Sequence, residues 1–273
     1  LEPFAPTAHN AGEEFRMEYA VRLVGETEMS SDHFAFNYFN NAICAVEFRN
    51  VLDVTYPYLY IKTNTFENNH LAGVYAENRL GIYLEENNEF IIPTGPDTAS
   101  GQYADYMITD FSHVPSGVYG VIGYNVLDVY NFNTYIDADS GNDLLFEKTR
   151  RVGVWAHLAT FLSGGLYLLP HTEMDGTTIK RMEIGFELTN EADYAVMEEN
   201  RFTDNKIAIH YNSNPIGTTE FVHPAFHCNK FELVDAHDTL THYGMFIRDS
   251  CDFADMRING TNLFPQGNGW PID

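Results

Sequence analysis

From Phe15 to Phe264 nearly every stretch of the chain reads as a short β-strand closed by a turn signal. Aromatic and β-branched residues alternate with polar ones. The alternation is broken by 20 Gly, 11 Pro and 24 Asn, at roughly ten-residue intervals. Arg16–Val24 sets Met17, Tyr19, Val21 and Leu23 on one face, and His33–Phe39 alternates Phe34, Phe36 and Tyr38 against His33, Ala35 and Asn37. No internal repeat of fixed period is evident, which argues against propellers and solenoids. The pattern predicts an all-β fold of two antiparallel β-sandwich or jelly-roll units with short extended terminal arms.

The expected organisation is an extended arm over 1–12, a β-sandwich domain over 13–115, a jelly-roll-like domain over 116–264 and an extended tail over 265–273. The boundary falls at Ser112–Gly117, where Pro115, Ser116 and Gly117 adjoin. The segment from Leu144 to Leu162 balances a helical stripe against strand alternation, and Gly153, Gly164 and Gly165 favour strand. Glu191–Asn200, with Ala192, Ala195 and Val196, is the best candidate for a short helix.

The formal charge of −24 arises from 39 acidic residues against 15 basic ones, so a shortage of cations contributes as much as an excess of acids. Such a surface repels phosphate backbones and anionic lipid headgroups, which excludes nucleic acid as a partner. No run of eighteen apolar residues occurs, so membrane insertion is not expected. Cys44, Cys228 and Cys251 contain no CxxC pair. They allow either one disulfide with a spare thiol, Cys228–Cys251 being the favoured pair, or three free thiols. The chain begins at Leu1 without Met and shows no signal peptide, as a chain whose targeting segment has been removed would.

Catalytic motifs are absent: GxSxG, GxGxxG and GxxxxGK[ST] do not occur. Paired acids such as Glu13-Glu14, Glu85-Glu86 and Glu198-Glu199 read as solvated edges, since a chain this acidic always offers some pair. Asp137, Asp139 and Asp143 surround Gly141 in a short loop, the spacing of a candidate calcium site, although Lys148 stands where an EF-hand would place its bidentate Glu; a solvated acidic turn is the plainer reading. Five histidines sit late, at His210, His223, His227, His237 and His242; His237-Asp238 is a candidate metal pair, and tip or loop histidines are the plainer reading. Tyr56, Tyr58 and Tyr60 alternate around Pro57 and share one strand face, either a core face or a binding surface for a glycan or partner.

From Leu144 to about Pro265 the chain resembles the trimeric jelly-roll heads of the complement-head and tumour-necrosis-factor-like superfamily, found also in phage fibres and capsid decorations. The resemblance is carried by Phe146 followed by Gly153-Val154-Trp155, by Phe231–Asp238, and by Ile258–Gly260 with Leu263-Phe264. It departs where His237 replaces the glycine of the Gly-Asp turn, and where the closing aromatic-Ser-Gly is missing. The resemblance implies homotrimerisation, ligand binding by loops and no catalysis.

The expected function is therefore that of a non-enzymatic structural or recognition protein of a virion or surface assembly. It would form a homo-oligomer, a trimer first, contact other assembly proteins, and reside in a virion or at the extracellular cell surface. The alternative is a secreted carbohydrate-binding or carbohydrate-active β-sandwich protein. No cofactor other than calcium is expected.

Overall fold

The computed structural model describes residues 17–24, 33–50, 59–78, 81–85, 87–93, 111–126, 128–138, 150–163, 176–190, 195–212, 225–234, 242–247 and 257–259. Strands are numbered β1–β23 in chain order and occupy three faces in rotation. Sheet A takes β1 (Met17–Val24), β4 (Ala42–Arg49), β7 (Ala72–Glu77), β10 (Val118–Tyr124), β13 (Arg151–His157), β16 (Ile184–Thr189), β19 (Ile207–Asn212) and β22 (Tyr243–Ile247). Sheet B takes β2 (His33–Ala35), β5 (Leu59–Lys62), β8 (Gly81–Glu85), β11 (Asp128–Asn131), β14 (Thr160–Ser163), β17 (Ala195–Glu198), β20 (Ala225–His227) and β23 (Arg257–Asn259). Sheet C takes β3 (Tyr38–Asn40), β6 (Thr65–Glu67), β9 (Asn88–Ile92), β12 (Thr134–Ala138), β15 (Thr178–Lys180), β18 (Arg201–Thr203) and β21 (Lys230–Glu232).

Every third strand is a hydrogen-bonded neighbour, and every pairing is parallel. The chain therefore winds as a three-sided parallel β-helix, one rung per three strands. This overturns the expected antiparallel sandwiches and jelly roll, and with them oligomerisation through sandwich faces. Strand content was read correctly, but direction was not. In a β-helix each strand buries one face against the axis and turns the other outward, so it alternates just as a half-buried antiparallel strand does. The expectation against a solenoid fails for a related reason. Val46, Val74, Val121, Val154, Phe186, Ile209 and Met245 occupy one register position at unequal sequence spacing, because chain length between strands differs from rung to rung. All three sheets continue past Ser112–Gly117, since β7, β8 and β9 pair with β10, β11 and β12. The terminal arm and tail lie outside the described residues.

The corners explain the asparagines. Among the described residues fifteen non-glycine positions have positive φ, and eight of them are Asn. Asparagine tolerates the left-handed region better than other chiral residues. At the end of sheet A the corner residues stack rung on rung: Asn50, Asn78, Asn125, Leu158 and Asn190 all have φ of 50–52°. Each donates its backbone N–H to the neighbouring rung, and Asn78 donates its amide to Asn50 at 2.9 Å, as Asn125 does to Asn78. None of the eight is followed by Gly, the pairing an antiparallel hairpin turn would favour.

Between sheets B and C a second ladder runs from the exposed Asn37 through the buried Asn64, Asn88, Thr134, Thr177, Asn200 and Asn229. Asn64 accepts from the backbone and side chain of Asn37 at 3.0 Å, and Asn200 donates its amide to Asn229 at 2.9 Å. Buried corner backbone is satisfied this way. Of the helix expected over Glu191–Asn200, residues 191–194 lie outside the described residues, and Ala195–Glu198 forms β17 instead, with Glu199 at φ 55° and Asn200 buried in the ladder.

Parallel register places like on like along the axis. In sheet C, Phe39, Phe66 and Phe90 stack at 5.1 and 4.6 Å, and Phe202 stacks on Phe231 at 5.3 Å. Sheet A adds a column of small residues, Ala45, Gly73, Gly120, Gly153, Gly185 and Ala208, each followed by an inward Val, Phe or Ile. Two consecutive residues face inward at this step, so each strand bends there. Among the described residues no helix is long and apolar enough to cross a membrane.

Candidate functional site on the outward face of sheet A

Once the small-residue column and its neighbours turn inward, alternate positions of sheet A must face out. One outward column is Arg22, Glu47, Tyr75, Ile122, Trp155, Glu187, His210 and Phe246. A second is Arg49, Glu77, Tyr124, His157, Thr189 and Asn212. Phe111–Gly117, joining the rungs ahead of β10, lies across this face. Phe111 meets Tyr75 edge-on at 4.7 Å, Val114 joins the outer apolar cluster with Ile122 and Trp155, and Tyr119 donates its hydroxyl to Pro115 O at 2.6 Å.

Aromatic rings form the centre of the face. Trp155 lies 5.9 Å from Tyr119, 6.0 Å from Tyr124 and 5.5 Å from His157. His157 stacks on Tyr124 at 5.0 Å, nearly parallel, and His113 covers the same tyrosine at 4.3 Å. Tyr124 and His157 are half-buried, whereas Tyr75 and Trp155 are buried.

The charges are matched in place. Glu47, fully buried, is held by Arg22 at 3.2 Å and Arg49 at 2.5 Å, and Arg49 reaches Glu77 at 3.4 Å. The Arg49 guanidinium lies 4.4 Å from the Phe111 ring and 5.1 Å from the Tyr75 ring. Arg150 pairs with Glu187 and donates to Tyr119 Oη at 2.6 Å, and His210 Nδ1 sits 3.3 Å from Glu187. Tyr75 donates to Glu77 at 2.7 Å; its phenol pKa is pushed far up, first by burial and then by that carboxylate. Partial burial holds His113 below the ordinary imidazole value, and burial together with the charge of His113 does the same to His157.

This arrangement stacks and hydrogen-bonds. Glycoside hydrolysis needs a carboxyl kept protonated beside a second carboxylate. Among the described residues Glu198 has a raised pKa, from burial and then Glu199. It lies on β17 in sheet B, away from this face.

Of the residues singled out in the sequence, Tyr60 lies on the outward side of sheet B, between core residues Leu59 and Ile61. There it joins a ladder with Tyr83 and Tyr130, with 5.2 Å between successive rings. Tyr56 and Tyr58 lie outside the described residues. Asp137 is on β12, bound to Arg181 at 2.8 Å and to the Tyr135 hydroxyl at 2.7 Å, while Asp139 and Asp143 lie outside the described residues. His210 reaches the sheet A face and His242 meets Asn205 O at 2.9 Å. His227 is on β20; His223, His237 and Asp238 lie outside the described residues. Among the described residues no three His, Cys, Asp or Glu side chains form a metal-holding group. Cys44 and Cys228 are free thiols. Gly153-Val154-Trp155 belongs to β13, and Phe231 to β21.

Sequence reasoning missed Tyr75, His113, Tyr124, Trp155 and His157 as a group. The available signal was the recurring small residue, large apolar residue, outward residue: Ala45-Val46-Glu47, Gly73-Val74-Tyr75, Gly120-Val121-Ile122, Gly153-Val154-Trp155, Gly185-Phe186-Glu187 and Ala208-Ile209-His210. Aligning those triplets lines up the outward column without any fixed period. Comparison with family models, curated proteins and solved structures finds no match to this chain.

Proposed function

We propose that this chain is a non-enzymatic recognition protein that binds an extended neutral glycan along the outward face of sheet A. The observation that carries the reading is the half-buried pair Tyr124 and His157, stacked on each other and backed by the buried rings of Tyr119 and Trp155 on a parallel sheet. A sugar ring offers C–H faces to aromatic rings and hydroxyl edges to polar neighbours, and such mixed surfaces suit it. Neutrality follows from the charges. Among the described residues, Arg22, Arg49 and Arg150 of this face are each paired with a glutamate, which disfavours their taking up a carboxylate or sulfate. A net charge of −24 repels polyanions besides.

Affinity electrophoresis of the full chain against neutral and anionic polysaccharides tests this. Retardation by a neutral polymer is expected, with Tyr124→Ala weakening it about tenfold, roughly 1.4 kcal/mol. Preference for the anionic polymers, or binding unmoved by Tyr124→Ala, would remove sheet A as the glycan surface.

A further inference from the structure

His113 and His157 are 44 residues apart in sequence by their own numbers, yet both lean on Tyr124, at 4.3 and 5.0 Å. Each imidazole also meets a hydroxyl on this face. Trp155 Nε1–H donates to Thr189 Oγ1 at 3.0 Å, and that oxygen lies 2.8 Å from His157 Nδ1. Every donor finds an acceptor when the Thr189 hydroxyl passes its hydrogen to an unprotonated Nδ1. Protonation of His157 would set two N–H donors on one hydroxyl. His113 Nε2 lies 2.9 Å from Tyr75 Oη, whose own hydrogen goes to Glu77, so the ring donates there.

We propose that the His113–Tyr124–His157 stack is an acid-sensitive latch: neutral, it holds Phe111–Gly117 across sheet A, and protonated, it releases that segment. The groups facing it are Arg49 from β4, Tyr75 and Glu77 from β7, Tyr124 from β10, Trp155 and His157 from β13, and Thr189 from β16. Glu77, 4.0 Å from His113 Nε2, favours the charged ring, while Arg49 and partial burial oppose it and prevail. Both imidazoles titrate below their ordinary value near 6.5, so the folded state takes up protons later than the unfolded chain. The latch therefore weakens as pH falls from about 6.5 towards the lowered values. Release uncovers Tyr75 and Ile122. If sheet A binds glycan, as proposed above, the aromatic surface available to it grows.

The test is amide hydrogen exchange of the full chain without ligand, from pH 7.5 to 5, corrected for the intrinsic chemistry of exchange. Residues 111–117 are expected to lose protection at least tenfold, while β13 and β16 keep theirs. His157→Phe keeps a ring on Tyr124 that cannot charge, and should flatten the dependence; His113→Phe is the second variant and should do the same. Protection of 111–117 that is flat with pH, or lost in step with β13 and β16, would overturn the latch. Because no glycan is present, this outcome is independent of the glycan reading. A loosened segment with unchanged glycan affinity would support the latch and count against the glycan surface.

Discussion

A methyl group built on Gly120 would lie 2.6 Å from the carbonyl oxygen of Gly153, and one on Gly153 would lie 2.6 Å from that of Gly185. The obstacle in both cases is backbone of the next rung, which cannot move aside without breaking the parallel ladder. Gly120→Ala is therefore expected to destabilise the protein by about 2–3 kcal/mol, read from urea unfolding. Ala208→Gly, in the same column, should lose only about 0.5–1 kcal/mol from added chain freedom. Equal losses at the two positions would show that close approach of the rungs is not what selects glycine. These glycines were legible in the sequence but were read as turn or strand punctuation. Their requirement comes from a residue a whole rung away, and nothing adjacent in sequence reveals it.

At the scale of an element, the corner between sheets B and C depends on side chains acting as backbone partners. The Asn200 carboxamide oxygen accepts from Thr177 N–H at 3.0 Å and Ser163 Oγ at 2.7 Å, and its amide donates to Ser163 O at 3.3 Å. Asn200→Ala removes the side-chain acceptor of the buried Thr177 N–H and the side-chain donor to Ser163 O, while Ser163 Oγ keeps Asn131 O, and should cost about 2–3 kcal/mol in urea unfolding. The far-UV signal of the folded state should not change. A loss under 0.5 kcal/mol would mean that the ladder satisfies geometry without supporting stability. Helix propensity favoured Glu191–Asn200 as a helix, but propensity is a weak prior, and tertiary hydrogen bonding to neighbouring rungs overrides it.

For the whole molecule, stability in a solenoid is close to a sum over rungs and their interfaces. Ile184 and Ile207 occupy the same register position on successive rungs. Deleting residues 184–206 therefore joins β15 to β19 without shifting which side chains face the axis. The shortened chain should still fold, with an m-value lower by roughly a tenth, in line with the smaller area exposed on unfolding. A chain that fails to fold after this deletion would show that the rungs are not interchangeable units. The candidate site belongs to this scale as well. Tyr75, Tyr124 and His157 come from three separate rungs, and His113 from the segment that leads into β10.

The sequence by itself determined that the protein is built of strands, that many of them alternate apolar with polar residues, and that its surface is acidic. Alternation at period two and the shortage of cations are local or additive properties, legible without knowing where the chain goes next. Tertiary structure alone decided that strands run parallel, that Asn50, Asn78 and Asn125 are corners rather than hairpin turns, and that scattered aromatic residues share one face. The physical reason lies in what burial reports. A strand half-buried against an axis and one half-buried in a sandwich present the same pattern. Direction is set by the backbone conformation of single corner residues and by hydrogen bonds to the rung above, a whole rung away along the chain.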